Sequence, residues 1–153
     1  MNYNQLNEIY PITGIWTLTM KKHVLIVEDN AIALFIETKL MENLDCQVEG
    51  ALTGEEAIEL TEKNKYDLIL MDIGLPGIDG IETTRRIRLS EEVKQHDLTP
   101  IIAVTGNADQ SQRTLCMEAG MNNVVVKPLS VEMAESILSD LDQPGNDKIK
   151  FEP

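Results

Sequence analysis

The chain has 153 residues, 42% of them hydrophobic, and sets 13 lysines and arginines against 26 acids, a formal charge of −13. That length suits one domain with a proper core, and the apolar content is too high for a disordered chain. So acidic a surface repels nucleic-acid phosphate and anionic lipid, which excludes both as expected partners. No apolar run approaches the ~18 residues that a membrane span needs.

Residues 1–20, "MNYNQLNEIYPITGIWTLTM", hold the only Trp and two of the three Tyr and follow no steady period. They read as a leader or linker ahead of a domain spanning 21–142. No basic region precedes a hydrophobic stretch there, so no signal peptide is read and a cytoplasmic location is expected. His23 to Val27 forms a short apolar strand ending in Glu28 and Asp29. Asn30 then offers an N-cap for a helix to about Leu44, with Ile32, Ile36, Leu40 and Leu44 at four-residue spacing. Cys46 to Ala51 is a second strand, and Thr53 with Glu56 makes a capping-box start for a helix through about Asn64.

Leu68 to Met71 is the third strand, running straight into Asp72 and the loop of "YDLILMDIGLPGIDG". A helix follows from about Gly80 to Leu89, and the polar stretch Ser90 to Thr99 reads as a long loop or a helix extension. Ile101 to Val104 is the fourth strand. A helix from about Asp109 stops at Gly120, Val124 to Val126 is the fifth strand, and Ser130 caps a last helix to about Leu141. Residues 143–153, "QPGNDKIKFEP", read as a tail. Five apolar strands alternating with five helices predict an α/β fold, a parallel sheet covered on both faces.

In such sheets the chemistry lies beyond the carboxyl ends of the strands. The first strand delivers Glu28 and Asp29, the third Asp72, the fourth Thr105 and the fifth Lys127 followed by Pro128. Converging carboxylates repel one another and become tolerable around a hard divalent cation such as Mg²⁺. A carboxylate can also attack phosphorus, and phosphoryl transfer then needs a cation, an ammonium group and a hydroxyl around the equatorial oxygens. Glu28 with Asp29, Lys127 and Thr105 match that set, with Asp72 as nucleophile.

The segments "VLIVEDN", "DLILMDIGLPGIDG", "IIAVTGN" and "NNVVVKPLS" resemble, in order, the signatures of the response-regulator receiver domain of two-component signalling. The resemblance covers about residues 22–141, and the four segments together are highly specific. It implies a flavodoxin-like, doubly wound five-stranded sheet of order 2-1-3-4-5. It also implies that Asp72 accepts a phosphoryl group from a phosphohistidine on a histidine kinase or histidine phosphotransfer domain. Asp29 and Asp72 would hold Mg²⁺ with the backbone carbonyl of Gly74, and Glu28 would act through a metal-bound water. Thr105 and Lys127 would bind the phosphoryl oxygens, and the Lys127–Pro128 bond would be cis. "AGMNNVVVKPLS" is most similar to receivers of hybrid sensor histidine kinases; a single-domain response regulator is the alternative. Val124 stands where an aromatic residue is usual, and Leu129 where Phe often follows the Lys-Pro pair.

Other residues carry smaller expectations. Ile32, Ala33 and Phe35 belong to a stretch apolar all round, so they form a candidate docking patch for a partner's helices. Arg85, Arg86 and Arg88 read as a solvated helix face, Cys46 and Cys116 as packed thiols of a reducing compartment, and His23 and His96 as structural. No independent metabolic activity is expected beyond self-catalysed phosphorylation and dephosphorylation. A Mg²⁺-dependent phosphatase of the haloacid dehalogenase type would want an acid two residues after Asp72, where Gly74 stands. A dinucleotide binder would want G-x-G-x-x-G, which the spacing of Gly74, Gly77 and Gly80 does not give.

Overall fold

In the computed structural model, residues 6–12 and 15–143 are described, the side chains of 6–19 excepted; the tail from 144 lies outside them. Within the stretch read as a leader, β1 (Leu6–Ile12) runs antiparallel to β2 (Ile15–Met20) as a two-stranded sheet of its own.

The remaining strands make one parallel sheet. They are β3 (Lys22–Val27), β4 (Cys46–Ala51), β5 (Leu68–Asp72), β6 (Ile101–Thr105) and β7 (Asn123–Val126), in spatial order β4-β3-β5-β6-β7. Counted from β3 this is the 2-1-3-4-5 order; among the described residues four helices form the connections, α1 (Ala31–Asn43), α2 (Gly54–Lys63), α3 (Gly80–Lys94) and α4 (Gln110–Glu118), and a fifth, α5 (Val131–Leu141), follows β7.

The period of two within each strand divides the core. Leu25 and Val27 join Ile69, Met71, Ile101 and Ala103 on one face, under residues from α2, α3 and α4. Val24 and Ile26 join Leu68, Leu70, Ile102 and Val104 on the other, under Met41 of α1 and Ala134 and Ile137 of α5. Burial on both faces is why these strands read as unbroken apolar runs. Both cysteines are free and buried, and burial, as the largest influence, raises the pKa of each thiol, that of Cys46 to about 11.

Local signals set the helix ends. Asn30, Thr53, Asp79, Asp109 and Ser130 each cap the helix that follows by accepting from a backbone N–H. Glu56 bonds the Leu52 N–H rather than that of the cap Thr53, so the capping box closes one residue early. Gly80 is set by close packing: a Cβ there would lie 2.1 Å from the Asp72 carbonyl oxygen, so only glycine lets α3 begin against the end of β5.

The stretch after Leu89, which the sequence left open between loop and helix, continues α3 to Lys94 and stops where Gln95 adopts a left-handed conformation, φ 54°. One expectation changes. The arginine group does not share one solvated face. The side chains of Arg85 and Arg86 are 52% exposed, but that of Arg88 is 13% exposed. Arg88 donates to the Gly120 carbonyl, to Asn122 and to Glu91, tying α3 to the turn before β7.

Candidate functional site

The carboxyl ends of β3, β5, β6 and β7 lie side by side, so residues 28, 72, 105 and 127 meet although they are spread over a hundred positions. Asp72 closes β5 and is 9% exposed. One of its oxygens, Oδ1, accepts from the Gly74 N–H at 3.2 Å, while Oδ2 lies 3.4 Å from Lys127 Nζ. Glu28 is 2% exposed; its Oε1 accepts from the Asn30 N–H and its Oε2 from Lys127 Nζ. Asp29 is exposed, and one carboxylate oxygen from each of Glu28, Asp29 and Asp72 lies within 4.8 Å of the others.

Lys127 is held charged in this setting. Burial works against the ammonium, but its hydrogen bond to Glu28 and the negative charge of Asp72 outweigh it, and its pKa stands above the ordinary lysine value. The Lys127 N–H bonds the Thr105 carbonyl, which holds the end of β7 against β6, and the Lys127–Pro128 bond is cis. Thr105 is 7% exposed, and its hydroxyl donates to the Asn107 carbonyl at 3.0 Å and accepts from the Asn107 N–H. The hydroxyl therefore sits beside the site with its proton turned into the loop after β6.

Each site residue named from the sequence is thus placed at one end of the sheet: Glu28, Asp29, Asp72, Gly74, Thr105 and Lys127. His23 is elsewhere, its ring 4.6 Å from that of Tyr66 and hydrogen-bonded to the Lys65 carbonyl. In the docking stretch, Ile32 and Phe35 are 74% and 62% exposed, Ala33 is half-buried, and Ile36 joins them at 59%.

One residue near the site was missed. Glu37, on the inward side of α1, is 8% exposed. Burial, with the charges of Glu28 and Asp72 against that of Lys127, raises its pKa from 4.5 to about 7. Its position seven residues after Asn30, two turns into α1 and four before the buried Met41, was the available signal.

A doubly wound sheet with acids, a hydroxyl and a lysine gathered at its carboxyl edge defines a class of phosphoryl-handling α/β domain. Residues 24–139 match the response regulator receiver domain, and the chain belongs to that family. It is a receiver domain of two-component signalling, with homologues among hybrid histidine kinases. It is 35% identical over 139 residues to the transcription factor SKN7 of Saccharomyces cerevisiae, covering 90% of this chain and 22% of that protein. It is 36% identical over 109 residues to the aerobic respiration control sensor protein ArcB of Escherichia coli, covering 71% of this chain and 14% of that one. The chain thus spans less than a quarter of these relatives. The receiver domain of sensor histidine kinase PA1611 from Pseudomonas aeruginosa, solved with magnesium in its active-site cleft, is 36% identical, with TM-score 0.70 over 78% of this chain and 95% of that one. No helix among the described residues is long and apolar enough to cross a membrane.

Proposed function

We propose that Asp72 is the phosphoacceptor of this receiver. The observation that carries the reading is the convergence on its carboxylate of Lys127, the Gly74 N–H and the acids Glu28 and Asp29. In the step, an Asp72 oxygen forms a bond to the phosphorus of a phosphohistidine. The P–N bond breaks, its electron pair returns to the imidazole, and an acyl phosphate results. Lys127 pairs with the phosphoryl oxygens, and Thr105 turns its hydroxyl to them.

The donor set fits Mg²⁺: hard oxygens only, from Asp29, Asp72 and the Gly74 carbonyl. Both oxygens of Glu28 already accept hydrogen bonds, which suits a role through water rather than direct ligation. Bound Mg²⁺ supplies neutralising charge for the transferring group.

The donor docks on α1 through Ile32, Ala33 and Phe35, with Ile36 beside them, and is a histidine kinase or a histidine phosphotransfer domain. Likeness to a hybrid histidine kinase, to ArcB and to the PA1611 receiver supports a hybrid sensor kinase as the parent protein, and the location proposed for this segment is cytoplasmic. The likeness to SKN7 favours a second reading, a receiver inside a transcription factor.

The test is incubation with Mg²⁺ and acetyl phosphate, comparing the protein with Asp72→Ala by intact mass. One added phosphoryl group on the parent and none on the variant is expected. Equal labelling of both would place the acceptor elsewhere.

A further inference from the structure

The β1–β2 ribbon is a sheet of its own, and among the described residues no third strand joins it. Two strands alone are marginally stable in water at best; a third strand with a shared apolar face changes that. The register of the ribbon shows such a face. Leu6 pairs with Met20, Ile9 with Leu18 and Pro11 with Trp16, so these apolar residues lie on one side. The register shift between Leu6 and Glu8 brings Leu6 there, since strict alternation from Ile9 would have put Asn7 in its place. Met20, at the end of that face, is 46% exposed.

The two edges of the ribbon differ. Pro11 has no N–H, so it can stand in β1 only where that group would point away from β2. The outer edge of β1 therefore lacks a donor at Pro11. Residues opposite one another in an antiparallel pair both point inward or both outward, so the backbone groups of Trp16, and of Leu18 two residues on, face out from β2. The outer edge of β2 keeps every donor.

The chain itself brings a strand to that edge. α5 ends beside the start of β3, where Lys22 and Asp142 form an ion pair at 2.7 Å, and β2 ends two residues before Lys22. Residues 144–153, "PGNDKIKFEP", leave from the same place. Pro144 and Gly145 suit a turn, and Lys148 to Phe151 alternates polar and apolar residues with the period of a strand. A segment that leaves here and follows β2 runs antiparallel to it. Charge favours this occupant over a second copy, which would bring another −13, whereas Glu8 is the one charge in residues 1–20 and the segment carries two lysines. Tethering also makes the pairing intramolecular.

We propose that residues 147–151 add to the outer edge of β2 as a third strand, with Ile149 opposite Leu18 and Phe151 opposite Trp16. Ile149 and Phe151 then extend the apolar face, and Lys148 and Lys150 fall on the face that holds Glu8. The segments before and after the receiver are thereby clasped together at the end of the parallel sheet remote from Asp72.

The test is amide hydrogen exchange on the full chain, read at Trp16 and Leu18 with Leu70 as reference. In the parent both amides are expected to exchange at least tenfold more slowly than in an unfolded chain, at every protein concentration. Ile149→Asp combined with Phe151→Asp removes that protection while Leu70 and labelling by acetyl phosphate stay unchanged; Ile149→Pro, which deletes a ladder donor, does the same. Unprotected amides in the parent overturn the proposal, as does protection that survives in both variants. Protection that grows with protein concentration overturns it too, in favour of a second copy.

Discussion

Glu37 is an acid in a place that prefers it neutral. The native state raises its pKa from 4.5 to about 7, first by burial and then by the charges of Glu28 and Asp72, with Lys127 opposing. Between those pH values the folded chain holds a proton that the unfolded chain releases, so this residue's contribution to stability is full below about pH 4.5 and is lost as pH rises through 7. The cost at pH 8 is on the order of 2–3 kcal/mol. Glu37→Gln is therefore expected to be more stable than the parent by roughly that amount at pH 8 and nearly equal to it at pH 4.5. Urea unfolding in EDTA at the two pH values checks it; a difference that does not change with pH would remove the account.

Glu37 also shows why some of the site was illegible in the sequence. Asp72, Thr105 and Lys127 each follow an apolar run and stop it, so their shared place at one sheet edge can be read from order alone. A single acid on a helix looks like every other solvated acid until the helix is packed and its inward side is known. Arg88 and Arg113 escaped for the same reason. Each is a base on a helix, and their partners, such as Gly120 and Val124, are backbone carbonyls that a sequence does not mark.

At the scale of the element, α1 is the informative case. Its four-residue series from Ile32 to Leu44 drifts by 40° a step, because 3.6 residues make a turn, so the series cannot stay on one side of the helix. Leu34, Leu40 and Leu44 pack on the core beside Met41, and Ile32, Phe35 and Ile36 face solvent, with Lys39 Nζ 5.7 Å from the Phe35 ring centre. An exposed aromatic contributes little to folding but can anchor a contact between proteins. Phe35→Asp should lower the rate of phosphotransfer from a phosphohistidine donor at least tenfold, with labelling by acetyl phosphate unchanged. Equal rates from the protein donor would remove the docking role of α1. The extent of α3 was open in the sequence because Ser90–Thr99 is polar; the helix persists because Glu91, 7% exposed, pairs with Arg88 and accepts from the Thr99 N–H.

At the scale of the molecule, the doubly wound sheet was predictable and the coverage of its two faces follows from it. Strand number and alternation are written in the apolar runs, and right-handed crossovers leave few ways to connect them. The β1–β2 hairpin was not legible, since its strands alternate apolar and polar residues only irregularly. Within the sheet, β5 lies in the middle, flanked by β3 and β6 and buried throughout. Amide hydrogen exchange should therefore be slowest at Leu70 and Met71, at the rate of global unfolding, and at least a hundredfold faster in β4 and β7 at the edges. Exchange at Met71 as fast as at Val125 would contradict this.

The two coverings also have a consequence for traffic. α1 lies over one face with α5, whereas α4 lies over the opposite face with α2 and α3. A partner that used the proposed contact at Phe35 would therefore leave the outer surface of α4, across the sheet, uncovered for another.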